Sequence, residues 1–198
     1  MISTYKNRFH RSIISLIFIV TSFGFQSCQS LLKSYTGIKN PEIEISSQER
    51  LDYYQPYTES TKAKVAIYSF LDVKTLQNGF NTFKNYPNII IKNNSTKKIY
   101  KLNCYDDLDL YIEDINNNIY TDLLELDEKD LQDISRFIEN GTEIVFTKNE
   151  ITQKKWNVYL VSGTFLGKKL RKKSLSITQI KDLNQLTILD LSMTQTAD

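Results

Sequence analysis

Histidine is almost absent from this 198-residue chain, which has one, His10. Sulfur is scarce too: Cys28 and Cys104 are the two cysteines, and no CxxC pair exists. One imidazole cannot build a multi-histidine metal site, and two such distant cysteines cannot supply a thiolate metal cluster. Three prolines and six glycines leave no flexible or proline-rich stretch of the kind that separates domains. No apolar run reaches the roughly 20 residues that a membrane-spanning helix needs.

What is present begins with a leader. Lys6, Arg8 and Arg11 precede the apolar run 12–25, and no acidic residue occurs before Glu42. A basic start and a short apolar core are the parts of an export signal. The run ends in Phe25-Gln26-Ser27-Cys28, which resembles the lipobox of bacterial lipoproteins, with Ser27 small and Phe25 apolar. Phe25 and Gln26 depart from the commonest choices of that motif. Two readings follow: residues 1–27 are removed and Cys28 carries lipid, or the protein is secreted and Cys28 pairs with another thiol. Lipidation is the expectation, and several acyl chains hold a protein on a bilayer stably. By resemblance to known sorting signals, Gln29 after the cysteine and the lack of an acidic run place the protein on the periplasmic face of an outer membrane.

Removal of the leader leaves 22 basic against 23 acidic residues, so the basic balance of the whole chain belongs to the leader. A near-neutral body gives no reason to expect nucleic acid as a partner. His10 is lost as well, and with it Ser-His-Asp and Cys-His catalysis and the usual neutral-pH general base. Cys104, in "KKIYKLNCYDD", reads as a buried or half-buried thiol at a strand end, with a reactive thiol as the alternative. No cofactor is expected.

Residues 28–62 read as lipid anchor, polar tether and a short helix whose N-cap is Ser46 or Ser47 ahead of Glu49. Residues 63–198 read as a single α/β domain, long enough to bury an adequate core. Within it, 64–72 is a strand and 73–86 a helix weakened by Gly79. The segment 86–103 forms a β-hairpin about "NNST", 105–117 a helix, and 127–141 a helix closed by Gly141. Strands then follow at "TEIVFTK", "WNVYLVSG" and 185–192.

Three segments, "LLKSYTGIKNPEIEISSQERLDYYQPY", "NIIIKNNSTKKIYKLNCYDDLDLYIEDI" and "WNVYLVSGTFLGKK…LTILDLS", together resemble a group of Bacteroidota lipoproteins of uncharacterised function with thioredoxin-like folds. The resemblance implies a small thioredoxin-like domain in permuted or degenerate form, strand-helix-hairpin-helix followed by strand-helix-strand. In a redox-active relative, the loop after "WNVYLVS" would hold CxxC at a helix N-terminus. This chain has "SGTFLGKK" there, so the scaffold is implied without its catalytic pair. Ser162 and Thr164 are weak binding candidates, against a plain helix-capping role.

Other patterns remain. Residues 114–125 match an EF-hand loop at Asp114, Asn116, Asn118, Asp122 and Glu125, but Ile119 stands where glycine belongs, so calcium is the weaker reading. Eleven acidic residues and one basic lie between Asp106 and Asp133, while eight basic and one acidic lie between Lys148 and Lys173. Such runs attract one another, engage a partner or an anionic membrane, or are solvated faces. Tyr53, Tyr54 and Tyr57 form either a contact surface or packing against the domain. Two functions survive: a membrane-tethered, non-catalytic binding or accessory module with an envelope protein as partner, or a carboxylate-dependent hydrolase working without histidine.

Overall fold

The structure, a computed structural model, describes residues 39–41, 44–83, 86–102, 105–146 and 154–194, with the backbone alone at 145 and 146. Cys28 and Cys104 lie outside these residues. The folded unit begins at Lys39, so the segment read as tether and short helix contributes to it.

That helix, α1 (Ser47–Glu59), starts at Ser46, which closes a capping box with Glu49: Glu49 N donates to Ser46 Oγ and Ser46 N donates to the Glu49 carboxylate. Two orphan donors are thereby satisfied. Arg50, Tyr54 and Tyr57, at i, i+4 and i+7, form the buried face. The chain continues through β1 (Lys64–Ser69), α2 (Val73–Thr82), β2 (Asn88–Asn93), β3 (Ile99–Leu102), α3 (Leu108–Asn116), β4 (Leu124–Leu126), α4 (Glu128–Glu139), β5 (Thr142–Phe146), β6 (Trp156–Ser162), α5 (Gly167–Ser174) and β7 (Leu183–Asp190). Short 3-10 turns flank α5 at Thr164–Leu166 and Leu175–Gln179.

The strands form one seven-stranded sheet in the order β4-β3-β2-β6-β7-β1-β5. Its centre, β6-β7-β1, is parallel, because α5 carries the chain back between β6 and β7. Antiparallel partners flank it, with β2, β3 and β4 on one side and β5 on the other. The molecule is therefore an α/β protein with a mixed sheet.

Alternation along the strands sends apolar residues to both faces. On one, Val65, Ile67, Ile91, Val158, Leu160 and Ile188 meet α1, the Leu108–Ile112–Ile115 face of α3, and Ile177. On the other, Phe70, Ile90, Val161 and Leu189 meet Leu76 and Phe83 around α2 and Ile134 and Phe137 of α4. Gly79 explains itself here: a Cβ would stand 2.8 Å from a Leu191 methyl, so glycine lets α2 approach the sheet. The two charge runs meet in part, since Lys173 Nζ lies 3.2 Å from Asp109 and donates to the Asp106 carbonyl.

Candidate functional site

In open α/β sheets, ligands bind outside the carboxyl ends of parallel strands. Here those ends align, since Ser69 of β1 and Ser162 of β6 are both paired with Asp190 of β7. Sequence reasoning missed what fills this row. Arg50 of α1 is 1% exposed and Asp190 is fully buried, and Arg50 Nε lies 2.5 Å from Asp190 Oδ2. The other carboxylate oxygen accepts from Tyr54 Oη at 3.0 Å, Ser192 Oγ at 2.6 Å and Ser192 N at 3.2 Å. Arg50 also donates to Thr194 Oγ1 at 2.7 Å. A charged pair this well saturated holds α1 to the sheet; it offers no free base or acid. Its sequence signal was an aspartate inside the apolar run "LTILDLS".

The loop after β6 is equally occupied. Ser162 is buried, and Thr164 takes its partner from within, its N–H donating to Ser192 Oγ at 2.7 Å. Phe165 folds over Gly163, where a Cβ would meet the ring at 2.0 Å. Phe165 in turn joins Phe80 and Tyr86 in an aromatic cluster.

Tyr54 and Tyr57 are fully buried, so these two pack against the domain and do not present a surface. Tyr57 Oη shares a 2.7 Å hydrogen bond with Ser174 Oγ, and burial pushes its phenol up to about 12. Burial, then the Asp190 charge, raises the Tyr54 phenol well above its ordinary value. Tyr53 is partly buried with the Arg171 guanidinium 4.8 Å from its ring centroid, a cation–π contact.

The EF-hand pattern is not assembled into a ligand shell. Asn116 donates to Gln179 O and accepts from Lys181 N, tying α3 to the turn after α5. Asn118 Oδ1 accepts from Lys155 Nζ and Tyr120 Oη, and Glu125, on β4, pairs with Lys98. Asp114 sits in the last turn of α3, and Asp122 is exposed in the loop that follows. Among the described residues, no group of three or more His, Cys, Asp or Glu is placed to hold a metal.

Two of those side chains, Asn118 and Glu125, border a groove of about 790 Å³ at the other end of the sheet. That volume is in the range of small-ligand and peptide-side-chain pockets. One wall is the β2–β3 turn, where Asn93 Oδ1 accepts from Ser95 N and Thr96 N. The opposite wall is the α3–β4 connection, with Asn118 at φ 61° and Ile119 45% exposed. Tyr120 stacks on Tyr100 with centroids 5.7 Å apart and 22° between planes, and its edge meets Trp156 at 5.8 Å. Lys155 Nζ lies 5.5 Å from the Tyr120 centroid and 5.2 Å from that of Trp156. The lining holds one carboxylate, Glu125, 2.8 Å from Lys98 Nζ. Tyr100 and Trp156 are buried, so Tyr120 is the half-buried ring that the groove offers. A braced aromatic beside a cation and amides suits recognition, whereas glycoside hydrolysis needs a carboxyl pair.

No helix among the described residues is long and apolar enough to cross a membrane. No protein-family model matches the chain, and no curated protein or solved structure matches it either.

Proposed function

We propose that this chain is a non-catalytic binding or accessory module, held by lipid on Cys28 at the periplasmic face of an outer membrane, that offers its hairpin groove to a protein partner of the envelope. One observation carries the reading: the strand-end position where α/β proteins work is filled by a saturated Arg50–Asp190 pair, while an aromatic groove stays open at the opposite end. Aromatic side chains next to a charged rim are the usual anchors of protein contacts.

The finer fold reading belongs to the same proposal. The hairpin-and-helix half (β2, β3, α3) precedes the strand-helix-strand half (β6, α5, β7), and the order β3-β2-β6-β7 lays the two halves side by side. This supports a thioredoxin-like domain with its halves in swapped order, akin to the Bacteroidota lipoproteins that the sequence resembles. In that scaffold the loop after β6 carries Ser162 to Lys169 where a redox relative has CxxC, so thiol exchange lacks its nucleophile there.

Two comparisons test the proposal. Cys28→Ser is expected to leave the membrane fraction; equal partitioning with the wild type removes the anchor. Ile119→Asp combined with Thr96→Arg, both exposed on the groove, is expected to abolish co-purification of an envelope protein after mild detergent extraction while thermal unfolding stays unchanged. Full retention of that protein by the variant removes the groove reading.

A further inference from the structure

We infer that β4, the outer strand on the groove's side of the sheet, takes up an extended segment of the partner by strand addition, and that this segment alternates apolar with basic residues. The inference rests on the groove reading above and names the chemistry of the occupant.

The edge is the first observation. β4 ends the strand order, and among the described residues its main chain bonds to β3 alone. An outer strand presents a row of unpaired N–H and C=O groups to whatever segment comes alongside. Lysine, proline or a bulge commonly blunts such an edge; Leu-Glu-Leu has none of the three. The same strand helps to form the groove, since Glu125 and the preceding Leu123 line it. A segment added to β4 therefore runs along the rim of the groove, where Ile119 and Tyr120 also stand.

Pattern is the second. Side chains alternate along a strand, so Leu124 and Leu126 share one face while Glu125 turns to the other, beside Tyr100 in the groove. Leu124 is 47% exposed, and Leu126 is half-buried on the face that α2 and α4 cover. On an added strand, the residues next to these leucines gain by being apolar. Those on the groove face meet carboxylates and gain by being basic.

Charge is the third, and it commits the occupant. Asp122, Glu125, Asp127, Glu128 and Asp130 are exposed along or directly beside the edge, with Lys129 as the one cation of that stretch. Lys98 and Lys101 belong to the β3 side, one strand inward, and Lys98 is taken by Glu125 at 2.8 Å. Glu128 and Asp130 serve the positive end of α4. Asp127 stands at the N-cap of that helix yet makes no side-chain cap bond with it. Among the described residues, no cation pairs with Asp127 or Asp122. Lysine or arginine on the incoming segment answers these charges. A second copy does not: a twofold pairing of β4 with itself, centred on Glu125, sets the two glutamates directly opposite, which destabilises a strand pair.

The test uses the full-length lipoprotein in detergent micelles and dye-labelled heptapeptides of alternating valine and lysine or alternating valine and glutamate. Two further forms of the lysine peptide are N-methylated, one at every valine and one at every lysine. Affinity is read from anisotropy and the site from amide hydrogen exchange. The valine–lysine peptide is expected to bind and to slow exchange at residues 124–126, and the glutamate peptide is expected not to bind. One of the two N-methylated forms is expected to bind about tenfold more weakly or worse, as the loss of one or two hydrogen bonds implies. Glu125→Lys combined with Asp127→Lys is expected to exchange the two peptide preferences with circular dichroism unchanged. Failure of the valine–lysine peptide to bind, undiminished binding of both N-methylated forms, or slowed exchange only away from 124–126 overturns strand addition. Protection there that needs no peptide and grows with protein concentration assigns the edge to a second copy and also overturns it. Retention of the co-purifying envelope protein separates the two readings. If Ile119→Asp with Thr96→Arg releases it and Glu125→Lys with Asp127→Lys does not, strand addition alone fails; if neither releases it, the groove reading fails and strand addition with it. Release by the charge reversal alone leaves the edge standing without the groove.

Discussion

At the scale of single residues, stability concentrates in Arg50 and Asp190. Removing one member of a buried pair strands the other, so Arg50→Met and Asp190→Asn are each expected to cost roughly 3 to 5 kcal/mol in urea unfolding. The double substitution should cost less than the sum of the two, because neither charge is then left alone. Tyr57 sets an alkaline limit. Its phenol titrates near 10.0 in an unfolded chain and is pushed up to about 12 in the folded one by burial. The unfolded chain therefore releases that proton first as pH rises. Its contribution is full below about pH 10 and declines as pH climbs to about 12, and Tyr57→Phe is expected to lessen the fall in denaturation midpoint across that window, the other raised phenols, Tyr54 and Tyr68 among them, supplying the rest. None of this was legible in "SSQERLDYYQPY", where the tyrosines suggested either a surface or packing. The choice was made by residues 117 and 136 positions away, Ser174 and Asp190, which periodicity within a segment cannot reveal.

Among the elements, local chemistry was easier to read. The hairpin follows from "NNST" between two apolar runs, α2 and α3 from helical spacing, α4 from its Asp start and closing Gly141, and α1 from the Ser-x-x-Glu pattern that Ser46 caps. Ser46→Ala is expected to lower stability by about 1 kcal/mol, read as a shift in thermal midpoint. β4 escaped notice because two of its three residues, Leu124 and Glu125, lie inside a segment whose oxygen-bearing side chains suggested calcium. Those side chains instead answer Lys98 and Lys155, partners that the order of the chain does not announce. Gly79 carries the opposite lesson. Propensity alone predicts that Gly79→Ala should strengthen α2 by about 1 kcal/mol. The Leu191 methyls at 2.8 and 3.2 Å predict that the substitution instead lowers the denaturation midpoint, because the fully buried Leu191 must give way.

For the molecule as a whole, fold class was accessible and strand order was not. Alternating strand and helix patterns gave α/β, but nothing in "QLTILDLS" indicates that the last strand inserts between β6 and β1. The short stretch Leu186–Thr187–Ile188–Leu189, with no charged residue and no strict polar alternation, is the one trace of that central position, since a strand covered on both faces needs none. The position has a kinetic corollary. Until residues 183–190 are available, β1 with β5 and β6 with β2 and β3 are two ribbons lacking the strand that welds them, and α1 lacks the carboxylate that clamps it. A chain truncated after Asp182 is accordingly expected to lose its cooperative transition in circular dichroism. Synthesis thus has to pass Asp190 before the body can lock, which keeps the polypeptide pliant for as long as threading through a translocon would ask of the exported protein we propose.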